Sequence, residues 1–481
     1  MNCEDLLRQY SSYPGVWDEM CDNGQIRNQY QLVSEAVKQV DVATLQQKDR
    51  IASELFMSQG ITFTVYSDNA GIERIFPFDI LPRIITGREW DIVEKGIQQR
   101  LKALNMFLKD VYNEQQILKD KVVPANLIAS CPNYTREVFG IKVPYDIYVH
   151  ISGIDLIRGA DGIFYVLEDN LRTPSGVSYM LENREVTKRI FPEMLASNKV
   201  RMVNNYPLLL HDILMQLAPQ QISNPTAVLL TPGIYNSAYY EHTFLARQMG
   251  VPLVEGRDLV VDNHKVYMKT TYGLQQVHVI YRRVDDDFLD PLVFKPNSAL
   301  GVPGLVSAYR KGNVAIVNAM GNGVADDKAV YAFVPAMIKY YLNEEPILPN
   351  VPTYELTNLE AKEHVFANIG NMVIKRTNES GGYGMLMGNK ASEQEIDDFK
   401  QAIEKDPRSF IAQPIIKLST VPCFINNRFE ARHVDLRPYA LCGPQGIKIV
   451  PGGLTRVALK EGSLVVNSSQ GGGSKDTWIV D

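Results

Sequence analysis

Asp161-Gly162, set between the β-rich runs Ile154 to Arg158 and Ile163 to Asn170, is the feature that most limits how this chain can fold. The dipeptide is a strong two-residue hairpin signal, because that loop needs positive φ, which Gly accepts freely and Asp tolerates. With those two residues as the loop, Ala160 faces Ile163, and counting five residues back along one strand and five forward along the other sets Asp155 opposite Glu168. Asn170, two residues on, shares the Glu168 face. Facing carboxylates repel unless a cation lies among them, so the pair with an amide oxygen beside it reads as a hard-cation site of the kind that suits magnesium bridging to phosphates. A solvated hairpin face is the competing explanation from these residues alone.

The 481 residues are too many for one ordinary core and imply about two to four domains or subdomains. Residues 1–145 read as a largely helical part with one strand-like run, Ile61 to Tyr66; Trp90, Val93, Ile97, Leu101, Leu104, Leu108 and Val111 form the stripe of an amphipathic helix. Residues 146–200 carry the hairpin, then the turn residues Thr173-Pro174-Ser175-Gly176 and another helix. Residues 205–345 read as an α/β, Rossmann-like unit: helix Leu208 to Leu217, strand Ala227 to Leu230, helix Glu241 to Met249, strands Val277 to Tyr281 and Val314 to Val317, and a helix from Asp326 to Tyr341. It lacks Gly-x-Gly-x-x-Gly, so dinucleotide binding is not supported. The Pro-rich Pro346 to Pro352 segment marks a boundary, and residues 346–481 mix strands with a polar helix near Glu393 to Glu404.

A net charge of -6 gives no basic footprint, which argues against nucleic acid as a primary partner. Met1 to Tyr10 has no apolar core and no run of about 18 apolar residues offers a membrane span, so the expected location is the cytoplasm. The 5 cysteines are scattered without Cys-x-x-Cys, and the 7 histidines form no ligand spacing, which speaks against disulfides and zinc.

A second constellation lies downstream. Met372 to Lys375 reads as a short strand ending in a lysine, followed by Ser380-Gly381-Gly382-Tyr383-Gly384. Backbone N-H groups of such a loop can close over phosphate oxygens while the lysine supplies counter-charge, although glycines also make plain hairpin turns. It is not a Walker A loop. Ser409 to Ile416 is a strand running into Pro414, suited to a hinge beside a base. Alternation sets Arg437 on the Asp435 face, an Arg-Asp structural pair, and leaves Arg456 as the better candidate for a phosphate oxygen.

With both constellations in place, the chain resembles the ATP-grasp superfamily, specifically its circularly permuted type 2 branch related to glutathionylspermidine synthase-like ligases. Leu167-Glu168-Asp169-Asn170-Leu171-Arg172-Thr173-Pro174-Ser175-Gly176 and Asn318-Ala319-Met320-Gly321-Asn322-Gly323 running on to Asp326-Asp327-Lys328 are similar to that family's signatures, with Met320 where the family often has proline. In the ordinary order the lysines and glycine loop come first; here the acidic triad does. The resemblance implies an α/β (mixed α+β) permuted ATP-grasp fold with a Rossmann-like pre-ATP-grasp domain. It implies magnesium ligands Asp155, Glu168 and Asn170. Lys328 and Lys375 would contact ATP phosphates, Gly381, Gly382 and Gly384 would form the lid, and Gln413 the adenine hinge. Arg456, Asn467 and Arg172 would act on the transferred phosphate or acyl phosphate.

The implied reaction joins a small-molecule or peptide carboxylate to an amine acceptor with ATP and Mg2+ through an acyl phosphate. An ATP-grasp phosphotransferase and a nucleotide-binding partner protein without turnover are the rival classes. No motif names the acid, the amine or the oligomeric state, and Arg282, Arg283 and Arg310 could meet a carboxylate but read more readily as surface charges.

Overall fold

The computed structural model describes residues 3–67, 70–219, 222–378, 384–466 and 471–481, with the backbone alone over 63–67 and 70–73. Its main element is a nine-stranded sheet assembled from distant parts of the chain. Along its path lie Gly446–Ile449, Tyr439–Gly443, Ile151–Arg158, Arg428–Arg437, Leu454–Val457, Gly473–Val480 and Phe78–Thr86; Thr420–Ile425 and Phe164–Asn170 pair from off that path. The ladders are antiparallel except the last, where Gly473–Val480 runs parallel to Phe78–Thr86.

Phe78–Thr86 was not expected, and its sequence explains why. Both of its faces are covered, with Ile80, Leu81, Ile84 and Ile85 at most 4% exposed, so no period-two alternation marks it. Pro82 lies where the pairing with the Lys475 to Thr477 stretch shifts register, a place in a sheet where a missing N-H is tolerated. A further strand, Ala70–Ile75, pairs with Thr62–Ser67 where a single strand was expected.

Directly after Phe78–Thr86 comes a 25-residue helix, Gly87–Val111, opened by a capping box in which Thr86 and Glu89 satisfy each other's backbone N-H groups. The expected apolar stripe is its core face, from Trp90 to Val111, each side chain at most 1% exposed. Arg100 lies on the same buried helix and reaches the hairpin.

The Rossmann-like expectation corresponds to a four-stranded, all-parallel sheet ordered Ala315–Val317, Val279–Arg282, Ala227–Leu230, Leu253–Val254, with helices Tyr206–Gln216 and Tyr239–Met249 against it. The single helix expected from Asp326 to Tyr341 is broken into Lys328–Tyr331 and Val334–Leu342. Asp327 caps the first by accepting from the N-H groups of Ala329 and Val330, and Pro335 starts the second, where its missing N-H costs nothing.

A third, antiparallel sheet runs Tyr354–Glu355, Phe410–Pro414, Met372–Arg376, Leu386–Met387. Met372, Ile374, Phe410 and Ala412 face a small core completed by Val365 and Ile403 from helices Leu359–Ala367 and Glu393–Lys405. The first of these helices was not anticipated. By alternation, Val373 and Lys375 point the other way, toward the nine-stranded sheet. Among the described residues, no helix is long and apolar enough to cross a membrane.

Candidate active site

In the hairpin, Asp155 pairs with Glu168 and Gly153 with Asn170, as the sequence count requires. The route differs. Gly159 N-H donates to Ile163 O at 2.9 Å and Gly162 N-H to Gly159 O at 2.9 Å, so the loop has three residues, with Gly162 at φ +79. Asp161 closes it by accepting from Ile163 N-H and the Tyr165 hydroxyl. Arg158 consequently pairs with Phe164, one step off the count. An extra residue, Leu167, bulges between the Leu156–Val166 and Asp155–Glu168 pairs and restores the register. Two one-residue shifts cancel, and Glu168 still faces Asp155.

Between the hairpin and the third sheet lies a cavity of about 610 Å³. Asp155, Glu168, Asn170, Asp435, Arg437 and Arg456 line one wall; Val373, Lys375, Met387 and Gln413 line the other. Val351, Pro414, Ile415, Ile416 and Leu418 add an apolar stretch to the lining. Thr173 to Gly176, Tyr179, Ala238 and Glu241 line it as well.

Asp169, on the other face of its strand, is held by Arg100 through two hydrogen bonds of 2.7 and 2.6 Å, which bolts the hairpin to the long helix. Glu168 meets Lys328 Nζ at 3.5 Å. Lys375 Nζ donates to Gln413 Oε1 at 2.8 Å, and Gln413 in turn donates to Thr353 Oγ1 at 2.9 Å. Burial pulls the Lys375 ammonium down to about 8, with Glu168 and Asp155 opposing that shift and Lys328 and Arg456 adding to it.

Asp155 is held by two arginines. Arg437 donates to both of its oxygens through Nε and Nη2, the latter at 2.8 Å, and Arg456 Nη2 donates at 2.7 Å. Burial would raise this carboxyl, but the two guanidiniums outweigh it and hold it far below the ordinary carboxylate range. The pairing expected between Arg437 and Asp435 is therefore exchanged: Asp435 is bound by Arg456, its cross-strand neighbour, and Arg437 crosses to Asp155. Arg437 has room to do so because residue 153 beneath it is glycine; a Cβ there would lie 3.1 Å from Arg437 Cδ.

Arg172 lines the cavity near Asn170, with its Nε donating to Asp326 Oδ2 at 2.8 Å. Gly384 is described, exposed, with φ +63, while Gly381, Gly382 and Asn467 lie outside the described residues. Arg282 and Arg283 are not surface charges: both are buried, Arg282 donating to Asn318 O at 2.8 Å and Arg283 to Pro174 O at 2.7 Å. Their strand carries them into the interior, where backbone carbonyls and the carboxylates of Asp286 and Glu241 satisfy them. Arg310 is exposed as expected.

Glu241, Asp326 and Asp435 line the cavity, although the sequence did not mark them as site residues. Glu241 accepts from the N-H groups of Gly176 and Ser178 at 2.7 and 3.1 Å, fastening the start of helix Val177–Ile190. In sequence it is one more acidic residue in a helical first turn, whereas Asp435 had a signal in its two-residue spacing from Arg437.

The ligand set at the hairpin fits a hard cation: two carboxylates and an amide, each with an oxygen to offer. The Asn170 amide nitrogen is buried with no hydrogen-bond partner, a donor left for an acceptor such as a phosphate oxygen. Among the described residues no group of three or more His, Cys, Asp or Glu side chains offers a different metal site.

The hairpin precedes the Lys375 strand in the chain, although both line one cavity. This order agrees with the family model that the chain matches over residues 82–458, circularly permuted ATP-grasp type 2, and the chain belongs to that family. It is 53% identical to an uncharacterized protein of Synechocystis sp. over 98% of this chain and 99% of that one, and 50% identical to an uncharacterized protein of Mycobacterium tuberculosis over 97% and 84%. A Frankia alni protein provisionally named a glutamate–cysteine ligase is 41% identical over 98% of this chain, which spans 54% of that protein's length. Among solved structures, a glutathione synthetase-like effector from Globodera pallida superposes with a TM-score of 0.60 at 11% identity, covering 92% of this chain and 98% of that one, a likeness of fold.

Proposed function

We propose that the protein is an ATP-dependent carboxylate–amine ligase that works with magnesium through an acyl phosphate. The observation that carries this reading is the meeting of Asp155, Glu168 and Asn170 with Lys328 and Lys375 around one cavity. Oxygen ligands on one wall and ammonium groups beside them suit a metal-bound polyphosphate, and the apolar stretch at Ile415 and Ile416 suits a flat base. The name of the Frankia alni relative supports an amide-forming reaction, without transferring its substrates.

In this reading Asp155, Glu168 and Asn170 hold magnesium, which when bound neutralises charge on the phosphates. Lys328 and Lys375 contact the phosphate oxygens, Gly381, Gly382 and Gly384 close over them, and Gln413 stands beside the adenine. A substrate carboxylate oxygen attacks the terminal phosphorus as the bond to ADP breaks; the amine then attacks the acyl carbon, phosphate leaves, and the amine gives up a proton. Arg456, Asn467 and Arg172 stabilise the charge that spreads over the transferred group. No side-chain nucleophile is required. The 205–345 unit and the Thr173 to Gly176 loop shape the acceptor site.

The test is a screen of carboxylate and amine pairs, including amino acids and small peptides, for ADP release, with mass detection of the product. An amide is the expected product; a phosphoester, or nucleotide binding with no ADP from any pair, overturns the reading.

A further inference from the structure

The arginines on Asp155 are not equivalent. Arg456 is bound by a second carboxylate, donating to Asp435 through both Nε and Nη2, and it is locked opposite Asp435 in the ladder. Arg437 hydrogen-bonds, among the described residues, to no carboxylate but Asp155, with Asp435 acting on its charge only at longer range; its remaining bond is Nη1 to the Ser175 carbonyl at 3.2 Å. Asp155 meanwhile has three of its roughly four acceptor sites taken, with two positive charges beside it. A cation that engages both oxygens of Asp155 has to displace a guanidinium, and the one hydrogen-bonded to no second carboxylate is Arg437.

We propose that Arg437 is an exchangeable guanidinium: a divalent cation that takes Asp155 releases it toward the Ser175 side of the cavity, where it binds the carboxylate of the acid substrate. The proposal rests on the ligase reading above. Its consequence is an order of events, because the carboxylate site is completed only once the metal-nucleotide has loaded. The side chain already lies over Gly153 and touches the Thr173 to Gly176 loop, so the exchange needs rotation of one side chain rather than movement of a strand.

Manganese serves as the probe, its free concentration followed by electron paramagnetic resonance on the full chain with ADP present. Arg437→Gln removes the competitor for Asp155 and is expected to bind Mn2+ at least about tenfold more tightly than the parent, since two charge-assisted hydrogen bonds no longer have to be given up. Equal or weaker Mn2+ binding by a folded Arg437→Gln overturns the exchange. Should that variant not fold, Arg437→Lys, which keeps the charge but loses the two-pronged grip, is expected to shift in the same direction, and its failure to do so has the same meaning. A second readout is acetate, a minimal carboxylate, which is expected to raise the melting temperature of the parent only with Mn2+ and ADP present, and not that of Arg437→Gln; an equal rise in both overturns Arg437 as the partner of the carboxylate. Absence of Mn2+ binding in the parent, or its persistence unchanged in Asp155→Asn, overturns the metal assignment itself and is distinguishable from failure of the exchange alone.

Discussion

Lys375 has its charge disfavoured until an anion arrives. Burial leads in pulling its ammonium down to about 8, from the ordinary 10.5 of a lysine. A bound polyphosphate favours the charged form, so nucleotide binding near pH 8.5 is expected to take up protons, and affinity for ATP is expected to fall as the pH rises through about 8, because the free lysine must first be recharged. Calorimetry in buffers of different ionisation enthalpy reads the uptake, and Lys375→Met should abolish it; equal uptake in that variant refutes the assignment. For folding without ligand the sign is opposite: the unfolded chain binds more protons between about 8 and 10.5, so this group makes stability rise with pH across that window. At Glu168 the expected outcome concerns rate. Glu168→Gln keeps the shape but removes a metal-binding charge, and turnover with an identified substrate pair should fall by about 10² to 10³. Unchanged turnover would remove Glu168 from the mechanism.

At the scale of elements, the hairpin depends on the helix behind it. The Arg100–Asp169 pair is buried on both sides, with side chains 1% exposed. Arg100→Met therefore strands a carboxylate and should cost about 3–5 kcal/mol, while the double change with Asp169→Leu should recover much of that loss. Chemical denaturation of the two variants decides it; a single variant as stable as the parent would show that the bolt carries no load. At the start of the same helix, Thr86→Ala removes the capping box and should cost about 1 kcal/mol without changing nucleotide affinity.

For the whole molecule, the cavity lies between two sheets with separate cores, so a ligand that touches both walls ties them together. ATP with magnesium at one hundred times its dissociation constant should add about 2.7 kcal/mol to stability, read as a rise in melting temperature. The rise should shrink sharply in Lys328→Ala; a rise of equal size there would place the nucleotide elsewhere.

Local pattern was enough to locate the hairpin, the amphipathic helix from Trp90, the parallel strands at Ala227 and Val279, and the lysine-bearing strand at Met372, because each shows its period or its turn residues within a dozen positions. The Asp155–Glu168 pairing was also legible, though by two compensating shifts that no count from the loop could reveal. Phe78–Thr86 was hidden because a strand buried on both faces has no alternation, and Arg282 and Arg283 were misread because only the fold shows what surrounds a charge. Which arginine holds which carboxylate was likewise decided by tertiary structure. Spacing along one strand put Arg437 with Asp435, but the neighbouring strands offered Asp435 a nearer guanidinium in Arg456 and left Arg437 an open path over Gly153 to Asp155. Chain order alone set the hairpin far from Lys375; the close approach of two sheets made them walls of one cavity.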